Sequence, residues 1–217
     1  MNAARRQTPW LRAVPSAGGR SQRPLAGLAD ADVIEAVAAG DGRMAGELYD
    51  RLVGTVDQTL FRILGRRESD HEDLVQSAFE QIVKTLATRR FAGACSLRTW
   101  ASSVATHVGL NALRSRRRER GVFDRSEVDA PNSSAGSDNP ERDAVLRREL
   151  DRVRQLLAGM SPARAEALLL HDVLGHDLAE ISALTGVSIA AAQSRLVRGR
   201  HELMELLGRG GAKGGDP

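Results

Sequence analysis

The chain has 217 residues, 41% of them hydrophobic, and a formal net charge of +3, which allows one or two small domains with real cores. Helix formers dominate and aromatic residues make up only 3%, so an all-α chain is expected. The one cysteine, Cys95, excludes an internal disulfide or a cysteine-rich zinc site. No apolar run approaches the roughly 18–20 residues of a membrane span, so the expectation is a cytoplasmic protein with no membrane insertion and no cofactor.

Residues 1–29 carry Arg5, Arg6, Arg12, Arg20 and Arg23 with no acid before Asp30. Their Pro, Gly, Ser and Ala content shows no helical period, which reads as a disordered basic arm. Arg5-Arg6 is not an export signal, because no apolar core follows it. A first helical domain is expected over residues 30–120. Val33, Ile34 and Val37 begin it, and Gly40 stops the first helix. Leu48, Leu52, Val56, Leu60 and Ile63 mark a second helix ending at Gly65. Ser69-Asp70-His71-Glu72 reads as a capping box for a third, whose apolar face is Leu74, Val75, Ala78, Phe79, Ile82, Val83 and Leu86. A loop holds Arg89 to Cys95. Ser96 then caps a fourth helix through Leu97, Trp100, Val104 and Val108. Between Arg98 and Arg120 six arginines stand against Glu119, a local balance of +5. That density suits phosphate contact better than helix capping alone.

Residues 121–140 read as a flexible acidic linker. From Gly121 to Asp143 six acids, among them Asp124, Glu127, Asp129 and Asp138, face only Arg125 and Arg142, and almost nothing apolar is present to offset the entropy of folding. Pro140 restarts helix. A second domain, residues 141–208, begins with Val145, Leu146, Leu150, Val153 and Leu157, and Gly159 ends that helix. After Ser161-Pro162, Leu168, Leu169 and Val173 form a stripe ending at Gly175. Asp177 and Glu180 sit at capping spacing before Leu178, Ile181 and Leu184. Gly186 supplies a left-handed turn, and Ser188 caps a last helix from about Ile189 to Leu207. Ile189, Ala192, Leu196, Leu203 and Leu206 line one side of it; Ser194, Arg195 and Arg198 fall on the other. A short helix, a glycine turn and a helix with a basic outer face form a helix-turn-helix, the device that lays side chains into a DNA major groove. Residues 209–217 read as a disordered tail.

Enzyme readings are weak. His171-Asp172 and His176-Asp177 suggest a metal site, but the two histidines are five apart, off the spacing that puts ligands on one helical face. Asp70-His71-Glu72-Asp73 is an acidic cluster of the kind a helix N-terminus attracts anyway. No phosphate-binding glycine loop and no nucleophile motif is present. The expectation is no catalytic residue and no metal.

Three motifs, in order, carry a family resemblance. Glu72-Asp73-Leu74-Val75-Gln76 followed by Phe79 is similar to a polymerase-docking helix. Phe91-Ala92-Gly93 with Leu97-Arg98-Thr99-Trp100 is similar to the loop and helix that engage a melted −10 promoter element. Val187-Ser188 with Ser194-Arg195-Leu196 and Arg198-Gly199-Arg200 is similar to a −35-reading helix. Together they make the chain resemble an extracytoplasmic-function (ECF) sigma factor of bacterial RNA polymerase. The resemblance covers residues 30–118 and 141–207.

The resemblance implies a sigma factor that binds the β′ and β subunits of core RNA polymerase, directs promoter-specific initiation and can meet an anti-sigma factor. It places polymerase contacts at Glu72, Asp73, Gln76 and Phe79. It places −10 contacts at Phe91, Arg98, Trp100, His107, Asn111, Arg114 and Arg117, although Trp100 lies on the apolar Leu97-Val104-Val108 face. It places −35 contacts at Ser188, Ala191, Gln193, Ser194, Arg195, Arg198 and Arg200. The acidic linker would thread a positively charged polymerase channel. Several positions depart from the family pattern: Ser77 replaces a frequent Glu, Ala94 an acid, His107 an Asn, Asn111 an Asp and Gln193 a Lys. The alternative of a different class is a stand-alone helix-turn-helix regulator, which would need neither the docking helix nor an acidic tether.

Overall fold

The computed structural model describes residues 28–122 and 140–211. The proposed arm up to residue 27, the linker between residues 122 and 140 and the end of the tail lie outside the described residues. Among the described residues all regular structure is helical: α1 (Asp30–Ala38), α2 (Gly42–Leu64), α3 (His71–Ala87), α4 (Leu97–Val122), α5 (Pro140–Gly159), α6 (Pro162–Leu168), α7 (Leu178–Thr185) and α8 (Ile189–Gly211). A five-residue π-helical turn, Leu169–Val173, continues α6, a local widening that periodicity did not indicate.

Helix α2 is the spine of the first half. The Asp41 carboxylate accepts from the backbone N–H groups of Arg43 at 2.8 Å and Met44 at 3.3 Å, satisfying donors left free at a helix start. Gly65 closes the helix at φ 80°, where a side chain would be strained. Leu48, Leu52, Val56, Leu60 and Ile63 recur at helical spacing, and all five are buried. Helix α4 crosses α2 closely. A Cβ on Gly109 would stand 3.2 Å from Ile63 Cγ2, so the glycine sets the approach. Helices α1 and α3 complete this half with Val33, Val37, Ala78, Phe79, Ile82 and Leu86.

The Ser69 capping box is not formed. Asp70 is the residue before α3, and its side chain makes no cap bond. Its carboxylate instead accepts from Arg116 Nη2 at 2.8 and 3.0 Å, a charge-assisted pair stronger than a neutral amide contact. His71 anchors the helix start through Nε2, 2.7 Å from Asp57 Oδ1.

The second half does not sit apart. Leu157, Ala158, Met160, Ala165, Leu168, Leu169 and Leu196 belong to the same core cluster as the first-half residues. A smaller cluster, Leu170, Ile181 and Ala192, lies inside the helix-turn-helix. Three expected stripes are only partly buried. Val145, Leu146 and Leu150 of α5 are exposed, as are Val173 and Ile189; only the later turns of α5, at Val153 and Leu157, reach the core.

Candidate nucleic-acid interface

The helix-turn-helix is built from local signals. Glu180 N–H donates to Asp177 Oδ1 at 2.8 Å while Asp177 N–H donates to Glu180 Oε2 at 3.2 Å, a reciprocal capping box. Gly186 turns the chain at φ 66°. Ser182 Oγ donates to the Val187 carbonyl at 2.6 Å, which ties α7 to the far side of the turn. Ser188 Oγ accepts from Ala191 N–H at 3.2 Å and opens α8. Helix α8 is then held against α6 at Gly199, where a Cβ would meet the Arg164 carbonyl at 3.1 Å, and by Arg164 Nη1 donating to Glu202 at 2.7 Å.

Along α8, Ser188, Gln193 and Arg198 are exposed; Ala191, Ser194 and Arg195 are half-buried. Arg198 has no hydrogen-bond or ion-pair partner among the described residues. Arg200 is different. Its Nε donates to Asp172 Oδ2 at 3.0 Å and its Nη2 lies 3.2 Å from His171 Nδ1. The Arg200 guanidinium holds the Asp172 carboxyl below the usual carboxylate range. The His171-Asp172 pair thus serves Arg200.

In the first half, Glu72, Asp73 and Gln76 form an exposed polar stripe on α3. Phe79 does not join it. It is 6% exposed and packs on Tyr49 with ring centroids 4.6 Å apart, so the polymerase contact expected at Phe79 is corrected to a core role. The apolar ring gains more from burial under α2 than from the polar face.

The loop before α4 is strained and supported. Arg89 has φ 52° without being glycine, a conformation that surrounding contacts must hold. Its guanidinium donates to both Glu35 carboxylate oxygens, at 2.6 and 3.0 Å. Phe91 packs on Trp100 with centroids 4.8 Å apart, and both partly cover the core. Trp100 is therefore support for the loop rather than an open platform. Ala92, Gly93 and Ala94 remain exposed, and Ser96 Oγ accepts from Thr99 N–H at 3.0 Å to start α4.

Arg98, His107, Asn111 and Arg117 are exposed on α4. Arg114 is half-buried; burial lowers its pKa, and its Nη2 has no hydrogen-bond partner among the described residues. The basic run divides in two. Arg116 is held by Glu68 at 2.9 Å and by Asp70, whereas Arg118 and Arg120 are exposed. His107 Nδ1 is 3.3 Å from Glu166 of α6, and this bond raises its pKa against the opposing effects of burial and Arg114. Sequence reasoning found the exposed residues of α3, α4 and α8. It missed that α6 would lie against His107.

Comparison with known proteins follows this division. Residues 48–119 match the family model described as Sigma-70 region 2, and residues 150–203 match Sigma-70, region 4. The chain belongs to the ECF sigma factors. It is 32% identical to the RNA polymerase sigma factor CarQ of Myxococcus xanthus over 163 residues, covering 75% of this chain and 88% of that one. It is 30% identical to the sigma factor NccH of Alcaligenes xylosoxydans xylosoxydans over 188 residues, covering 83% and 97%. A solved structure of CnrH in complex with the cytosolic domain of CnrY matches at 24% identity with a TM-score of 0.48, covering 83% of this chain and 97% of that one. As a sigma factor, the protein binds core RNA polymerase and promoter DNA and directs promoter-specific transcription. The region 2 match sets aside the stand-alone regulator. No helix among the described residues is long and apolar enough to cross a membrane.

Proposed function

We propose that this sigma factor divides its work among three surfaces. The exposed stripe Glu72, Asp73 and Gln76 docks α3 on core polymerase. The loop around Ala92–Ala94, with Arg98, His107, Asn111 and Arg117 of α4, engages the opened −10 element. Helix α8 reads the −35 element with Ser188, Gln193, Ser194, Arg195 and Arg198. The chemistry of RNA synthesis stays with the polymerase, and the site of action is the cytoplasm. A partner of the anti-sigma type, which the family resemblance implies, is part of this reading.

One observation carries the docking assignment most directly. Helix α3 buries Ala78, Phe79, Ile82 and Leu86 on one side while leaving Glu72, Asp73 and Gln76 in solvent. Those three polar groups take no part in the core and share one face. The double substitution Asp73→Arg, Gln76→Ala reverses charge on that face and leaves the core untouched. The expected result is loss of binding in a titration against core RNA polymerase, with the fold retained and a melting temperature lowered only by the lost helix-dipole contribution of Asp73, on the order of 1 kcal/mol. Wild-type affinity in the double variant would refute the docking face.

A further inference from the structure

Five arginines from three separate stretches of chain line one cleft of about 300 Å³. Arg66 follows α2, Arg116, Arg117 and Arg120 stand on the last turns of α4, and Arg154 belongs to α5. Among the described residues Asp151 is the one carboxylate in the wall. The buried Leu64 and Leu113 supply its apolar part. The cleft that His107 shares with Arg195 of α8 is different, because Glu166 stands there beside a single arginine.

The arginine charges are only partly neutralised. Arg154 Nη1 donates to Asp151 at 2.8 Å. Arg116 is paired with Glu68 and Asp70, and Glu68 is also the partner of Arg66. Five guanidinium groups against three carboxylates leave a balance of +2. Two further contacts orient cations without neutralising them. Arg154 Nε donates to the Ile63 carbonyl at 3.1 Å, and Arg117 Nη1 to the Gln155 carbonyl at 3.0 Å. Each guanidinium has five N–H donors, so donors remain on both. Gly65 and Gly159 leave the space these two guanidinium groups occupy. Arg120 is exposed and has no hydrogen-bond or ion-pair partner among the described residues. Like charges gathered in one cleft repel one another, and an anion between them would offset that repulsion.

We propose that this cleft binds a small polyphosphate, a ligand with two or more linked phosphate groups, either inorganic or carried on a nucleoside. The planar guanidinium fork matches phosphate oxygens with paired, charge-assisted hydrogen bonds. Linked phosphates place several negative charges close together, as arginines converging from three stretches require. The fixed seats of Arg117 and Arg154 mean that little order has to be imposed on binding. The backbone of a duplex presents its phosphates along a rod, whereas this cleft is walled by the loop after α2, by α4 and by α5. The site does not depend on the assignments of α3, α4 and α8 to polymerase and promoter, although Arg117 takes part in both.

Calorimetric titration of the full chain tests the site, in about 0.15 M salt without divalent cations. The probes are sodium tripolyphosphate, ATP and GTP, with sulfate and a short DNA duplex for comparison. Tripolyphosphate should bind one site per chain, about tenfold or more tightly than sulfate. Equal affinity for tripolyphosphate and the nucleotides would assign the phosphates alone; a tighter nucleotide would add a nucleoside contact on Leu64 and Leu113. Arg120→Glu and Arg66→Ala should each weaken tripolyphosphate about fivefold or more. Arg43→Ala, exposed at the opposite end of α2, should leave it unchanged. Equal loss in Arg43→Ala would mean diffuse attraction and would overturn the site. So would sulfate bound as tightly as tripolyphosphate, an adventitious ion only, or binding of the duplex but of none of the small ligands. A second readout needs no variant to fold. In the unaltered chain the Nε–Hε resonances of Arg117, Arg120 and Arg154 should shift on adding tripolyphosphate, and shifts confined to other arginines would overturn the placement.

Discussion

Arg198 and Arg200 stand two positions apart on α8 and have different surroundings. Arg198 is exposed and without a partner among the described residues. Arg200 is paired with Asp172 and close to His171. An arginine already in a charge-assisted pair has to break it before it can bind DNA, so the free one is the better reader. Arg198→Ala is expected to weaken binding to the correct −35 sequence by about 1–3 kcal/mol if it reads a base. Arg200→Ala should cost less sequence discrimination and should loosen the π-helical turn that carries Asp172. Competition binding with matched and mismatched duplexes separates the two. Equal loss on all sequences, with a shallower salt dependence, would make Arg198 a phosphate contact instead.

At the scale of elements, α7 and α8 owe their positions to short-range chemistry. Asp177→Ala removes one half of the capping box, and thermal or urea unfolding should report a loss of about 1 kcal/mol. A loss confined to the second half would also show as early exchange of the α7 amides. These signals were legible in the sequence because cap and partner lie within a few residues: Asp177 with Glu180, Ser188 with Ala191, Ser96 with Thr99. The Ser69 box was not, because α3 begins one residue later with Asp70 at the cap position, and Arg116, 46 residues beyond, takes the Asp70 carboxylate. The stripe Val145, Leu146 and Leu150 has helical spacing but no facing element among the described residues, and spacing alone does not supply one. Phe79 is a similar case. Its motif position suggested a partner contact, whereas its ring belongs under Tyr49. The exposed polar residues of α3 and α8 were readable from pattern; the crossings at Gly109 and Gly199 depend on tertiary approach and were not.

The whole molecule joins two family regions, and residues of both contribute to one core cluster. One bond across the boundary is sensitive to pH. His107 faces Glu166 of α6 and Arg114 of its own helix, and shares its cleft with Arg195 of α8. Pairing with Glu166 raises its pKa above the ordinary value of roughly 6.5. A histidine whose folded pKa is raised contributes stability fully below its unfolded value and loses it as pH rises through the folded one. Closed packing should therefore loosen modestly on going from pH 6 to pH 8, since the His107 side chain is 61% exposed and solvent screens the pair. Distance measurements across the halves should show this, and Glu166→Gln should flatten the dependence. A pH response identical in Glu166→Gln and wild type would remove His107 from the explanation.

The most direct test of bipartite promoter recognition needs no known promoter. The sigma factor and core RNA polymerase are given a library of random-sequence templates, and transcript 5′ ends are sequenced. Start sites should share two short motifs at a fixed separation. Arg198→Ala should blur only the upstream motif, and a change at His107 or Asn111 only the downstream one. Start sites with no upstream motif, or motifs unaltered by all three substitutions, would contradict the assignment of α8 and α4 to promoter DNA.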